Sequence, residues 1–390
     1  MKILYVVTHS DKGGTQTYVH QLASTLHGKG DVVALGVGSH GWLTTELENR
    51  GIKIYPFRFL RRTYNPVLNI LFSIEMHYFL QKHQFDIIHF NSSNPLFGIL
   101  GSFFSRRGPT KLIFTFHGLS LIDPGWRKAR WISVIYRWVL IMIVPFIDHC
   151  IFVCERDLRY AQEKKILSQG RNFSIIYSGI EKDLGELNKF SARKYLEQIA
   201  QKEFSNALII GTITRLHYQK NIDLLIAVAN TLRIPNVVFC ILGTGPEKER
   251  LHKVIQQYGL DEFCFILDVS EPRIYIKAFD IFVISSRYEG IPFTIIEAMK
   301  NRLPIIATDV GGISEAISHD ISGVIVHSDT QGELVEAIRF LIDNPSHAQR
   351  LAHNASAAAQ TKFTQERMVS ETYQLYKTLC VEREDIFRRA

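Results

Sequence analysis

Two glutamates with seven residues between them, Glu289 and Glu297, bracket the segment Gly290-Ile291-Pro292-Phe293-Thr294-Ile295-Ile296. The β-branched run Ile281–Ile284 ends just before it, and Pro292 opens a helical stretch near Thr294. A helix start presents unpaired N–H groups and the positive end of the helix dipole, which suits a diphosphate. Glu297 is read into the first turn of that helix, where a carboxylate is electrostatically at ease even without a function. Glu289 is harder to explain as ordinary surface, because open α/β sheets take their ligands at the carboxyl ends of strands. Carboxylates accept hydrogen bonds from sugar hydroxyls, so two of them flanking a phosphate-binding helix start point to a nucleotide-sugar.

Cations stand on a comparable edge. Arg215 and Lys220 lie in Gly211-Thr212-Ile213-Thr214-Arg215-Leu216-His217-Tyr218-Gln219-Lys220, between a strand and the next helix. A guanidinium and an ammonium there can neutralise a leaving diphosphate. Gly243 and Gly245, after the run Val237–Leu242, are read as a turn that lets backbone approach a ligand. In the first half, Gly13 and Gly14 follow the first strand and open a helix, and His117 follows the run Lys111–Thr115. Asp11, Asp309 and Gly311-Gly312 lie on similar edges.

The elements that must carry these residues alternate short β-branched runs with amphipathic stretches, and they do so twice. The first series of strand candidates is Lys2–Thr8, Val32–Val37, Ile52–Phe57, Asp86–Phe90, Lys111–Thr115, His149–Val153 and Asn172–Tyr177. The second is Ala207–Thr214, Val237–Leu242, Phe263–Leu267, Ile281–Ile284, Pro304–Ala307 and Gly323–Val326. The expected class is α/β, with two Rossmann-like parallel-sheet domains facing a central cleft. Expected bounds are a first domain over residues 1–180, a linker over 181–205, a second domain over 206–365, and a C-terminal helix over 366–390 that crosses back to the first domain.

Composition narrows the class. At 390 residues, 46% hydrophobic and 21% charged, the chain has the balance of a multidomain globular protein. Five scattered cysteines (Cys150, Cys154, Cys240, Cys264, Cys380) form neither a disulfide framework nor a zinc pattern, which implies reduced thiols. The opening apolar run is too short for a secretory signal, so the expected location is cytoplasmic. On that reading the sequons at Asn91, Asn172 and Asn354 carry no glycan. No Gly-x-Gly-x-x-Gly follows either first strand, Walker A is absent, and no Asp-x-Asp occurs. Phosphate handling must then rest on Arg, Lys and helix dipoles, with no metal ligands expected. No nucleic-acid reading motif and no protein partner is legible.

Charge is unevenly spread. Residues 1–180 hold 21 Lys and Arg against 11 Asp and Glu, a net +10 in a chain whose total is +7. The segment Trp126–Ile147 is strongly apolar behind a Trp/Arg-rich start, Trp126, Arg127, Lys128, Arg130 and Trp131. Arg137 and Pro145 within it argue against a membrane span. Two readings stay open: a core helix, or a helix lying in a membrane interface. With Arg58, Arg61 and Arg62 beside Phe57, Phe59 and Leu60, the segment suggests an anionic membrane surface as a partner.

Taken together, Glu289-Gly-Ile-Pro-Phe-Thr-Ile-Ile-Glu297-Ala-Met, Pro304-Ile-Ile-Ala-Thr-Asp-Val-Gly-Gly312, Arg215 with Lys220, and Gly13-Gly14 resemble glycosyltransferase family 4, the retaining glycosyltransferases of GT-B architecture. The resemblance implies a metal-independent hexosyltransferase with a nucleotide-sugar co-substrate, UDP-linked in preference to GDP-linked, and a glycan or lipid-linked acceptor. It further implies that Glu297 holds ribose hydroxyls, Arg215 and Lys220 stabilise the departing diphosphate, and Glu289 contacts the donor sugar. His117 would border the reacting centre, and Gly14 would admit the donor phosphate. The chain departs from the pattern at Gln16, Ser178 and Asn221, and Cys154 stands where serine is typical. The alternatives are a sugar-nucleotide epimerase of the same architecture and a non-catalytic sugar-binding homologue.

Overall fold

The computed structural model describes all residues except 106–109, 120–121, 124–129, 168–169, 183–184, 205, 328–329 and 390, and the side chains of 130 and 382–389. The chain forms two units. The first is Met1–Ile122, Lys128–Ser178 and Gln365–Ala390; the second is chiefly Gly179–Thr364.

In the first unit seven parallel strands, β1 (Lys2–Val7), β2 (Val32–Val37), β3 (Lys53–Pro56), β4 (Ile87–Asn91), β5 (Lys111–Phe116), β6 (His149–Phe152) and β7 (Phe173–Ile175), are ordered β3-β2-β1-β4-β5-β6-β7. The second unit has β8 (Leu208–Ile213), β9 (Val237–Leu242), β10 (Cys264–Leu267), β11 (Ile281–Ile284), β12 (Ile305–Thr308) and β13 (Val324–Val326), ordered β10-β9-β8-β11-β12-β13. Helices cover both faces of such sheets, so their strands run continuously apolar; every residue of β4, β9 and β11 is buried. The strand order reverses between β1 and β4 and again between β8 and β11. Crevices for ligands open at the carboxyl ends of strands at these switch points.

One sequence expectation changes here, the linker, and another holds, the return of the C-terminal helix to the first domain. The stretch read as a linker over 181–205 contains the helix Lys189–Ala200, capped by Asn188 Oδ1 accepting from Ser191 N at 2.9 Å. It is pinned to the second unit by Asp280, whose carboxylate pairs with Lys189 and Arg193 and accepts from Ile209 N at 2.7 Å. The C-terminal helix Gln365–Arg389 belongs to the first unit, where Met368, Thr372, Tyr376 and Leu379 form its buried stripe.

The apolar segment after β5 becomes the helix Arg130–Ile143, ended by Pro145 in the 3₁₀ turn Val144–Phe146. Leu140 and Ile143 enter the core, while Trp131, Val134, Ile135, Trp138 and Met142 face outward, Trp138 at 60% exposure. The helix Pro66–Lys82 repeats this, with Phe72, Met76 and Leu80 inside and Val67, Ile70, Ile74 and Tyr78 outside. Both helices cover the same face of the first sheet, since their inner residues share one core with Leu4, Val6, Ile88 and Phe90. Residues 126–129 of the Trp/Arg-rich start lie outside the described residues. Phe57 and Leu60 are buried, so they do not serve as surface anchors beside the exposed Arg58, Arg61 and Arg62. Among the described residues no helix is long and apolar enough to cross a membrane.

Candidate functional site

In the second unit the chain leaves β8 through Thr214, Arg215 and Leu216, makes the 3₁₀ turn Tyr218–Lys220, and enters the helix Ile222–Leu232. Asn221 joins turn to helix with φ +50°, a left-handed conformation that asparagine tolerates better than other residues with a side chain. Arg215 is exposed at this edge. Lys220 is not: its Nζ forms an ion pair with Glu289 Oε1. Glu289 also accepts from Ser286 Oγ at 2.7 Å and from Gln219 Nε2 at 3.3 Å, and Gln219 reaches the Tyr288 carbonyl at 2.9 Å. The Ser285 hydroxyl fastens the two loops together by donating to the Lys220 and Asn221 carbonyls at 3.0 and 3.2 Å.

Sequence reasoning gave Lys220 and Glu289 separate tasks. The structure joins them, and adds Gln219, Ser285 and Ser286 as their supports. The only sequence signal for these three was adjacency to the named residues.

The loop after β11 is locked from behind. Gly311 has φ +55°, and a Cβ there would lie 1.8 Å from the Glu289 carbonyl oxygen. The Gly312 N–H donates to the Gly290 carbonyl at 2.9 Å. Ile291 is buried, and Pro292, Phe293 and Thr294 are half-buried around the start of the helix Phe293–Lys300. Because this helix begins at Phe293, Glu297 falls in its second turn, not its first, and is buried. The dipole of the first turn therefore does not account for it.

Gly243 and Gly245 also have a packing reason. A Cβ at Gly243, whose φ is +141°, would lie 2.0 Å from the Thr214 carbonyl oxygen, and one at Gly245 would lie 2.4 Å from that of Leu216. Their small size lets the β9 loop pack against the backbone that carries Arg215, and Leu216 N bonds to Thr244 O at 3.0 Å. Arg215, Lys220, Gly243, Gly245 and the 289–297 segment thus gather on adjoining carboxyl ends of β8, β9 and β11.

Gly13, Gly14 and His117 occupy the corresponding edge of the first unit. Gly13 caps the helix Gly14–Gly28 in an extended conformation, φ −172°, that any residue adopts. What it avoids is the Gln16 side chain, whose Oε1 would lie 2.9 Å from an added Cβ. Gln16 itself folds back, with Nε2 donating to the His9 carbonyl at 3.0 Å. His117 follows β5, with Nε2 2.9 Å from Asn91 Oδ1 and its ring edge-on to Tyr18 at 4.8 Å. Burial pushes its pKa down to about 3, so the ring is neutral.

Behind His117 is a second buried imidazole, His89 on β4, pushed down to about 3 by burial and then by its neighbour His117. Its Nδ1 shares a 2.5 Å hydrogen bond with the hydroxyl of Tyr376 on the C-terminal helix, and its Nε2 meets Thr115 Oγ1 at 2.6 Å. His89 was not singled out in the sequence, and Asn91 only as a sequon; His89 lies inside the apolar strand β4 and Asn91 ends it.

Residues 12–184 match the family model described as Glycosyltransferase Family 4, and residues 196–358 match the one described as Glycosyl transferases group 1. The UDP-Gal:α-D-GlcNAc-diphosphoundecaprenol α-1,3-galactosyltransferase of Escherichia coli is 26% identical over 283 residues, 70% of each chain. The O-antigen biosynthesis glycosyltransferase WclY, also of Escherichia coli, is 24% identical over 77% of this chain and 82% of its own. Among solved structures, Anabaena Alr3699/HepE in complex with UDP-glucose superposes with a TM-score of 0.80 at 20% identity, covering 97% of this chain and 100% of that one.

Proposed function

Because this chain is a glycosyltransferase of GT-B architecture, we propose that it transfers a hexose from a UDP-sugar to a lipid-linked precursor of a cell-surface glycan, with retention of anomeric configuration. The observation that carries the site assignment is the cluster of Arg215, Lys220 and Glu289 at the strand ends beside the start of the helix Phe293–Lys300. Arg215 and Lys220 meet the departing diphosphate, and the positive end of that helix shares its charge. Lys220 exchanges Glu289 for phosphate when the donor arrives, which frees the Glu289 carboxylate for sugar hydroxyls. Glu297 holds the ribose. The leaving diphosphate takes the acceptor's proton, so no enzymic nucleophile is needed and no metal is required.

The UDP and UDP-glucose complexes of HepE support the nucleotide, and the diphosphoundecaprenol substrate of the Escherichia coli relative supports the acceptor. A lipid carrier requires a docking surface. The outward faces of the helices Pro66–Lys82 and Arg130–Ile143, with the cations Arg58, Arg61 and Arg62, favour peripheral attachment to an anionic membrane.

The test is a panel of UDP- and GDP-sugars scored first by thermal shift and then by transfer to diphosphoundecaprenol-linked sugars, with the product's anomeric configuration read by NMR. Ligand linkage raises stability only for a bound donor. Stabilisation by GDP-sugars alone would overturn the UDP assignment, and an inverted anomer would overturn retention. An altered free UDP-sugar formed without acceptor would favour an epimerase.

A further inference from the structure

We infer that the carboxyl edge of β1, β2 and β3 is a recognition site for a sugar diphosphate ester, with Trp42 stacking on the sugar ring and Lys12, Arg61 and Arg62 meeting the phosphates. The inference rests on the reading of the acceptor as a lipid-linked glycan, and it names the groups that hold its head. All of them belong to the first unit. The three strands run parallel and end together, Val7 beside Val37 and Val37 beside Pro56, so the loops that follow them emerge side by side. These loops are tied to one another. Ser10 Oγ donates to the Ser39 carbonyl at 2.8 Å, Leu43 N to that of Ser10 at 2.9 Å, and Gly38 N to that of Thr8 at 3.2 Å. A Cβ at Gly38 would lie 1.6 Å from the Leu60 carbonyl oxygen, an approach that only glycine permits. The β2 loop is thus fixed between the loop that carries Lys12 and the one that carries Arg61 and Arg62.

Trp42 is what that loop presents. Its indole is half-buried, with the His20 ring centroid 5.2 Å away and the Lys12 ammonium 5.1 Å from its own centroid. An aromatic that keeps surface at the edge where α/β sheets take ligands offers a rigid, flat platform, onto which the apolar C–H face of a pyranose packs. Lys12 is exposed, and its flexible stem lets the ammonium exchange the indole face for a phosphate. Arg61 and Arg62 are exposed on the other side, with Arg61 Nε donating to the Arg58 carbonyl at 3.3 Å. Their planar guanidinium groups match pairs of phosphate oxygens. The nearby carboxylates do not cancel these charges: Asp11 stands against His9, Glu48 against His40, and Glu75 accepts from the amides of Arg58 and Phe59. A bare anionic surface accounts for the arginines, but it has no use for a half-buried indole fixed between two loops. A ring with more than one negative charge attached uses both.

The experiment measures binding to the full-length protein without donor and without vesicles. The probe is N-acetylglucosamine diphosphate esterified to a short alkyl chain, the head of the Escherichia coli relative's substrate. It is set against the alkyl diphosphate without the sugar and the alkyl N-acetylglucosaminide without the phosphates. The full probe should bind about tenfold more tightly than either fragment, weaken as salt rises, and not be displaced by UDP-N-acetylglucosamine. Trp42→Leu should raise its Kd about tenfold and leave that of the alkyl diphosphate unchanged. Trp42→Tyr keeps a flat ring, is the safer variant for folding, and should restore most of the affinity. Lys12→Gln combined with Arg61→Gln changes only exposed side chains. It should weaken both phosphate-bearing probes about tenfold and flatten their salt dependence.

Equal affinity for the neutral glycoside, or unchanged binding of the full probe by the Lys12 and Arg61 double variant, would overturn the phosphate contacts. Wild-type affinity in Trp42→Leu would remove the stack. Displacement by UDP-N-acetylglucosamine would assign the edge to the nucleotide-sugar and sink the inference, as would a wild type that does not bind the full probe. A wild type that no UDP-sugar stabilises would instead count against the transferase reading, and the measured binding of the probe would stand apart from it.

Discussion

The Lys220 ammonium is paired with the Glu289 carboxylate, so on the proposed reading a diphosphate displaces Glu289 to reach it. Binding and rate therefore respond differently to its loss. Arg215→Ala and Lys220→Ala should each lower kcat by about 30- to 1,000-fold, on the order of 2–4 kcal/mol, because negative charge on the leaving group grows towards the transition state. Steady-state kinetics on the two variants check this; turnover unchanged in both would remove them from the chemistry. The sequence supplied both cations and both glutamates through their spacing. It could not supply the pairing of Lys220 with Glu289, which depends on two loops meeting across the ends of β8 and β11. Nor could it show that Gly243 and Gly245 approach their own protein's carbonyls. The buried imidazoles carry a second prediction. His89 and His117 are neutral when folded, with pKa values near 3, whereas unfolded histidine titrates near 6.5. The unfolded chain thus binds more protons, and stability present above about pH 6.5 is lost as pH falls towards 3, by about 1.4 kcal/mol per pH unit for each ring. Urea midpoints measured from pH 7 to pH 5 should fall accordingly, and His89→Gln should flatten that slope. An equal slope in the variant would mean His89 is not the titrating group.

At the scale of elements, the strands were legible because a sheet covered on both faces demands uninterrupted β-branched runs, and both series show them. The helix Lys189–Ala200 was not legible. Its apolar residues are divided between buried Ala192 and Leu196 and exposed Phe190 and Ile199, which blurs the helical period. Its anchor, Asp280, lies more than 80 residues further along the chain. That anchor is testable. Asp280 accepts hydrogen bonds from Lys189, Arg193 and the Ile209 amide, so Asp280→Ala leaves a half-buried guanidinium and a backbone N–H without their partner. The cost should be about 2 kcal/mol. Thermal unfolding of the second unit should move several degrees lower, whereas an unchanged midpoint would mean that solvent replaces the carboxylate freely.

On the scale of the whole molecule, the net +10 over residues 1–180 and the apolar stripes on two helices of one sheet face favour the same proposed partner by different physics. Each cation near an anionic surface contributes about 1 kcal/mol that salt screens, and inserted aromatics add a part that salt does not remove. The protein should sediment with anionic vesicles at low salt and be only partly released at high salt. Trp131→Ser with Trp138→Ser should make release complete. A wild type that stays in the supernatant with every vesicle would dismiss the membrane and leave a freely diffusing acceptor. Activity should also survive EDTA, since among the described residues no three His, Cys, Asp or Glu side chains gather as ligands. Collapse on chelation, restored by magnesium or manganese, would reverse that expectation. The C-terminal helix has one more consequence, which concerns time. Domains ordinarily fold in the order they leave the ribosome. Here the second unit is complete once Thr364 has emerged, while the first still lacks the helix that carries Tyr376 to His89. The half made first is finished last: the basic, amino-terminal unit lacks part of its core until the residues around Tyr376 have emerged.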